Sequence, residues 1–263
     1  MTASPIHGSL HRHRVRQVGI SRPLRWLAFG WADLMRCPLP GLLHGLAFAA
    51  FGALLLALAR DRFWMLAGAF SGFLLVAPML ATGLYAVSRA MQQGKPAGLA
   101  TALAIWRPRD GRLVLFGVLL ALAGTGWVLT SASLITRFAD TPVHNPQDFL
   151  RVVVLSGTSH LFELWLLLGS ALAAPIFAST VVAVPLLMDR NIGVRDAVLV
   201  SVRAALLNPA SMALWATLLL VITLLGMVTL LVGLVVALPW LAHASWHAYR
   251  DLVEPTTDGE GQA

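Results

Sequence analysis

The residues best suited to chemistry lie in LPWLAHASWHAYRDL, positions 238 to 252. On a helix His243 and His247 are one turn apart and share a face, with Trp240 three residues before the first and Arg250 three residues after the second. Two imidazole nitrogens at that spacing can ligate a metal ion or a haem iron. His44, about one turn into the first long apolar segment, is the third nitrogen that could join them. The same stretch has a second reading, as an aromatic and imidazole belt where a helix leaves the apolar layer, ending in an arginine that snorkels to headgroups. Trp240, Trp246, Tyr249 and Arg250 are then membrane-interface anchors, and Tyr85 and Arg89 in LATGLYAVSR are their counterparts earlier in the chain.

Other candidates are sparse. His160 and Glu163 could contribute to a metal site, but they fall at the opposite end of a span from His243 and His247, about 30 Å away across a bilayer, so one site cannot use all four. An acid near a helix N-terminus is the simpler account of Glu163. The chain has no HExxH, no GxSxG, no glycine-rich phosphate loop and no pair of carboxylates inside an apolar segment, so no catalytic residues are assigned and no cofactor is expected. Cys37 is the single cysteine, which excludes an internal disulfide.

The elements that must position these residues are apolar helices. Hydrophobic residues make up 58% of the chain and charged ones 12%, with mean hydropathy +0.77, where a soluble domain carries about 25% charged residues. Long runs recur: Leu39 to Ala59, Phe63 to Val87, a segment within Leu113 to Ile135, and another within Leu161 to Met188. Ala210 to Ala248 is a run of 39 residues without Asp, Glu, Lys or Arg, about 58 Å as one helix, so it must fold back near Gly226 to Gly233. The expected fold is all-α, a polytopic transmembrane bundle of six spans arranged as three hairpins, each preceded by an amphipathic helix in the interface.

A repeat supports that arrangement. Leu24 to Arg36, Leu99 to Trp106 and Val194 to Leu206 each show helical apolar spacing, followed by Cys37-Pro38, Arg107-Pro108 and Asn208-Pro209 ahead of a span. Pro78, Pro185 and Pro239 mark a kink in each return span. An offset of 161 pairs Arg89 with Arg250 but puts Thr82 and Ala86 where the histidines stand, so the histidines are an addition of the third unit. The units are read as about 21–92, 93–192 and 193–253, forming one membrane domain over 21–253. A disordered basic arm (1–20) and a disordered tail (254–263) flank it.

Charge then orients the chain. Of the 19 Lys and Arg residues, 15 fall in segments 1–38, 88–112, 188–209 and 249–263, and Arg60, Arg62, Arg137 and Arg151 fall outside them, which places both ends in the cytoplasm. This pattern accounts for the net charge of +7 without nucleic acid, and makes the lipid bilayer and its anionic headgroups the partners, with a membrane-protein partner or a second copy of the chain also open. Residues 1 to 23 lack the apolar core of a cleavable signal; an Arg- and Ser-rich start also fits a mitochondrial transit peptide, but a positive-inside arm of a bacterial inner-membrane protein gives the same composition.

Three stretches carry a resemblance: VAPMLATGLYAVSR, VPLLMDRN with DAVLVSVRAALLNP, and LPWLAHASWHAYRDLV. They are similar to the bacterial integral membrane family known as domain of unknown function 2189, over residues from about 25 to 253, with HASWHAYRD the most specific part. The resemblance implies a multi-span inner-membrane protein with no assigned biochemical role; some members carry a cytochrome oxidase subunit-like label. The expected function is non-enzymatic, either transport or sensing of a small molecule or lipid or scaffolding of a membrane complex. The alternative is a redox, metal or haem protein using His243, His247 and His44.

Overall fold

In the computed structural model, residues 14–59, 81–104, 111–156 and 160–254 are described. Helix α1, Arg22–Arg36, has Pro23 in its first turn, where no N–H partner is needed, and buries Trp26, Leu27, Gly30, Asp33 and Leu34 along one face. One residue later α2, Pro38–Ala59, begins a long apolar helix. Then come α3, Thr82–Gln92, and the short α4, Leu99–Ala104. Helix α5, Gly111–Phe138, is the longest. Next is α6, Pro146–Asp148, capped by the Asn145 side chain, which accepts from the Asp148 N–H at 2.8 Å, and it runs on as a π turn, Phe149–Val154.

The second half follows a similar order. Helix α7, Leu161–Thr180, is separated from α8, Ala183–Asp189, by a turn at 181–182. Pro185 accounts for the break, since it has no N–H to offer the carbonyl of Val181 and its ring crowds that carbonyl. The Ser201 hydroxyl fills the gap, donating to the Ala178 carbonyl at 2.7 Å and accepting from the Val182 N–H at 3.0 Å. Ser201 lies on α9, Val194–Leu207, which leads through Asn208 into α10, Pro209–Val228. Thr229 to Gly233 then reverses the chain through Leu230 and Leu231 at φ 53° and 68°, and α11 is Leu234–Leu252. Thr229 satisfies this turn, its hydroxyl donating to Gly226 O at 2.9 Å and accepting from Gly233 N at 2.8 Å.

The expectation of six spans in three hairpins is corrected here. Among the described residues four helical stretches are long and apolar enough to cross a membrane: Pro38–Ala57, Gly111–Phe138, Leu161–Asp189 and Pro209–Val228. The expected second span falls mainly on residues 60–80, outside the described residues together with Pro78, and its described remainder belongs to the 11-residue α3. The expected sixth span is α11, whose second half carries His243, His247, Arg250 and Asp251 and whose apolar start is only about 12 Å long. Its buried residues, from Leu234 to Leu252, lie on every side of the helix, so its surroundings are protein: α1, α2 and α3.

Helix α11 is therefore the centre of the fold. Trp26, Trp246, Tyr249, Leu252, Trp215 and Leu186 are among the large side chains wholly buried around it. The long helices instead turn Leu42, Leu46, Leu54, Leu122, Leu167 and Leu225 outward, the exposed apolar surface of a chain meant for lipid. One end of the molecule collects arginines and both described termini. The segment from Arg14 lies along Val253, with Arg16 N donating to Leu252 O at 2.8 Å and Glu254 N donating to Arg14 O at 3.0 Å. Arg190 Nη2 donates to the Glu254 carbonyl at 2.6 Å and Arg112 Nη1 to the Ile192 carbonyl at 2.6 Å, which draws the start of α5 to this basic end. The arm expected to be disordered to residue 20 is thus held from Arg14 onward, with Asn208 accepting from Val18 N at 2.7 Å.

Candidate functional site

Close helix packing creates the site. Gly30 on α1 lies so near Ala244 that a Cβ there would fall 2.5 Å from the Ala244 nitrogen. Gly45 on α2 meets the Val235 carbonyl, which Pro239, four residues on, cannot hydrogen-bond; a Cβ at Gly45 would collide with that oxygen. These contacts bring α1 and α2 against α11, and α3 closes the remaining side.

Where the four helices meet, polar side chains form one chain of hydrogen bonds. The Trp246 indole N–H donates to Gln92 Oε1 at 2.9 Å, so the Gln92 amide N–H faces His247 Nδ1 at 3.3 Å. Nδ1 therefore accepts, and the proton sits on Nε2, which donates to Asp33 Oδ2 at 2.8 Å. The Ser88 hydroxyl donates to the same Oδ2 at 2.7 Å. Having given its proton to Asp33, Ser88 can only accept from His243 Nδ1, 2.7 Å away. His243 Nε2 is then a bare acceptor, fully buried and without a hydrogen-bond partner. Every bond in the set points towards Asp33.

The electrostatics agree with that polarity. Burial alone would raise the Asp33 carboxyl, but its interactions with His247 and Ser88, hydrogen bonds foremost, together outweigh it and hold Asp33 below its ordinary value. Burial pushes the His243 imidazole down to about 4, and the Asp33 carboxylate recovers only part of that. His243 is accordingly neutral at physiological pH.

The structure separates the sequence candidates. His243 and His247 do meet, through Asp33 and Ser88, but they do not converge on a shared point. His44 Nδ1 faces the Pro40 carbonyl at 2.8 Å, and since a carbonyl only accepts, Nδ1 carries the proton. Among the described residues no group of three or more His, Cys, Asp or Glu could hold a metal ion. A Cβ at Gly41 would stand 3.8 Å from His243 Nε2, a gap that leaves no room for a porphyrin. His160 and Glu163 stand 3.8 Å apart and exposed on the surface.

The residues read as interface anchors lie mostly inside the fold. Trp246 and Tyr249 are 1% and 0% exposed, and Tyr85 is buried as well. The Tyr249 hydroxyl donates to Asp189 Oδ2 at 2.6 Å, while Arg89 Nε and Arg250 Nη1 lie 3.0 Å and 3.7 Å from the same carboxylate. Trp240 donates to the Leu27 carbonyl at 2.7 Å and packs edge to face on the half-exposed Trp31. Pro239 sits within α11, which continues through it.

Two openings flank this packing. At the basic end Arg22, Arg25 and Arg250, with Phe29, His247 and Asp251, surround a pocket of about 200 Å³. Arg22 is committed there to Asp251, with bonds of 2.9 and 2.7 Å, and Trp26 donates to the same carboxylate at 2.9 Å. Further along the bundle α2, α3, α7, α10 and α11 line a partly open cavity of about 220 Å³, bordered by His44, Phe48, Tyr85, Trp215, Leu219 and Ala242 among others.

Asp33 and Ser88 went unmarked in the sequence reading. Asp33 is the first acidic residue of an Arg-rich segment, which is the signal the sequence offers for it. Ser88 offered none.

No curated protein and no solved structure matches the chain. One family model matches residues 65–189, which takes in VAPMLATGLYAVSR and reaches Asp189 but stops before HASWHAYRD, a narrower range than the resemblance suggested. Over those residues the chain is similar to a family described as predicted integral membrane protein (DUF2189), and the four helices long and apolar enough to cross a membrane agree with that description.

Proposed function

We propose that this protein is a multi-pass, non-catalytic component of the bacterial inner membrane that binds a small lipid-soluble molecule, for transport or sensing, with its N- and C-terminal ends in the cytoplasm. The observation that carries the reading is the cavity of about 220 Å³ among five helices. A concave, mainly apolar cleft with a few polar groups on its lining is the usual form of a small-molecule site. The orientation is supported by the arginines gathered at the end that holds both described termini. Anionic headgroups are the proposed partners of that end, and the pocket of Arg22, Arg25 and Arg250 supports this.

The test is extraction of the purified protein and mass spectrometry of what comes with it, compared with Ala242→Leu, which fills the cavity. We expect a neutral compound enriched over the bulk lipids in the parent and absent from a folded Ala242→Leu. Finding no such compound, or equal amounts in both, overturns the reading.

A further inference from the structure

The turn between α10 and α11 is built unlike one that faces water. From Ala216 to Pro239 the chain has no charged residue, no Trp and no Tyr, the residue types that mark a helix end at a membrane surface. Residues 137–151, where α5 ends, differ: they carry Arg137, Asp140, His144, Asp148 and Arg151. The outermost side chains of the α10–α11 turn are Val228, Leu230 and Val232, which are 80%, 87% and 69% exposed. Leu230 and Leu231 hold φ at 53° and 68°, where a turn in water would place Gly or Asn. That backbone conformation costs a leucine energy, and the exposed side chain of Leu230 recovers none of it in water. Hydrocarbon reverses the balance.

A bilayer tolerates a turn only where the backbone polar groups find partners within the protein. Every N–H from Leu231 to Ala237 does so, six of them donating to carbonyls of the same hairpin and that of Gly233 to the Thr229 hydroxyl. The depth of the turn follows from α2. Helix α10 begins and α11 ends at one basic segment, since Asn208 accepts from Val18 N and donates to Arg16 O while Arg16 N donates to Leu252 O. From there α11 lies antiparallel to α2, with Gly41 against Pro239, Gly45 against Val235 and Gly52 against Leu231, whose Cδ1 would stand 2.8 Å from a Cβ at Gly52. Gly52 is 14 residues, about 21 Å, beyond Pro38 and seven residues, about 10 Å, short of Ala59. The turn therefore stands about two-thirds of the way along a helix just long enough to cross about 30 Å of hydrocarbon.

We propose that α10 and α11 form a re-entrant hairpin, which enters the bilayer from the basic side, sets Val228, Leu230 and Val232 among the acyl chains of the far leaflet and returns without reaching water there. The proposal rests on the membrane reading of the chain and is independent of what the cavity binds.

The test uses a Cys37→Ser background. Val228→Cys and Val232→Cys avoid the two leucines of positive φ, and the exposed His144→Cys is the water-facing reference. Each cysteine carries a nitroxide in nanodisc-embedded protein, and its relaxation by oxygen, which concentrates in hydrocarbon, is compared with relaxation by a water-soluble nickel chelate. Nickel relaxation should be strong at residue 144 and lost at 228 and 232, with oxygen relaxation retained at both. In spheroplasts, an impermeant maleimide should label neither hairpin cysteine from outside or after the membrane is opened, and should label both once the protein is dissolved in SDS. Strong nickel relaxation at the turn, or labelling from outside, would make α10 and α11 two full spans. Loss of oxygen and nickel relaxation together would put the turn against protein, such as a second copy of the chain. Either result overturns the hairpin and leaves the cavity reading untouched.

Discussion

Asp33 accepts from two side chains and is the single carboxylate on which His247, Ser88 and, through Ser88, His243 depend. Asp33→Ala leaves two buried donors without their acceptor and should cost about 2 to 3 kcal/mol of stability, read from denaturation in detergent. The pH dependence has a definite sign. A histidine at about 4 in the fold and near 6.5 when unfolded leaves the unfolded chain holding the extra proton between those values, so His243 makes stability fall as pH drops from about 6.5 to about 4. The contribution of Asp33 has the same sign but a lower window, because a depressed carboxyl loses its share only below its ordinary 3.8. His243→Gln keeps a donor for Ser88 without titrating, so its melting temperature should decline less between about pH 7 and about pH 5 than that of the parent; an equal decline would place the titrating group elsewhere. HASWHAYR was legible as a cluster because its spacing is local. Its partners were not, since Asp33 lies 214 residues from His247 and Ser88 lies 155 from His243, separations no periodicity encodes.

At the scale of helices, four apolar stretches were visible from length and hydropathy, and the turn after α10 fell where the long uncharged run had to reverse. Helix α11 misled because absence of charge records removal from water without saying whether lipid or protein replaces it. The glycines decide such questions better. Nothing lies within 4 Å of a Cβ built at Gly126, whereas Gly45 has the backbone of Val235 against it. Gly45→Ala should therefore push α2 from α11 and cost about 2 to 3 kcal/mol. Gly126→Ala should be neutral or stabilising by about 0.5 to 1 kcal/mol, through better helix propensity. Thermal unfolding of the two variants side by side checks the contrast, and a reversed order would refute the packing assigned to α2 and α11.

For the whole molecule, the charge pattern foretold a basic face. The structure gives that face a mechanical role, with Arg112 and Arg190 binding carbonyls of neighbouring segments and Arg22 locking α1 to Asp251. The loop through His144 joins the far end of α5, about 42 Å along that 28-residue helix from its start. Under the proposed orientation, a cysteine at His144 in a Cys37→Ser background should react with an impermeant maleimide added outside intact spheroplasts. A cysteine at Asn191 should react only after the membrane is opened. Labelling of both from outside would reverse or break the orientation.

The hydrogen bonds that tie Arg22 to Asp251 and Val18 to Asn208 join residues 229 and 190 positions apart. A ribosome makes α1 early and α11 late, so for much of synthesis Trp26 and Leu27 lack the helix they lie against. The nascent chain must shelter that stripe elsewhere, in the bilayer surface or under a chaperone, until the closing helix arrives. Assembly of this part of the protein is therefore gated by α11, and a chain stopped before Leu234 would carry an unclaimed adhesive face into the membrane.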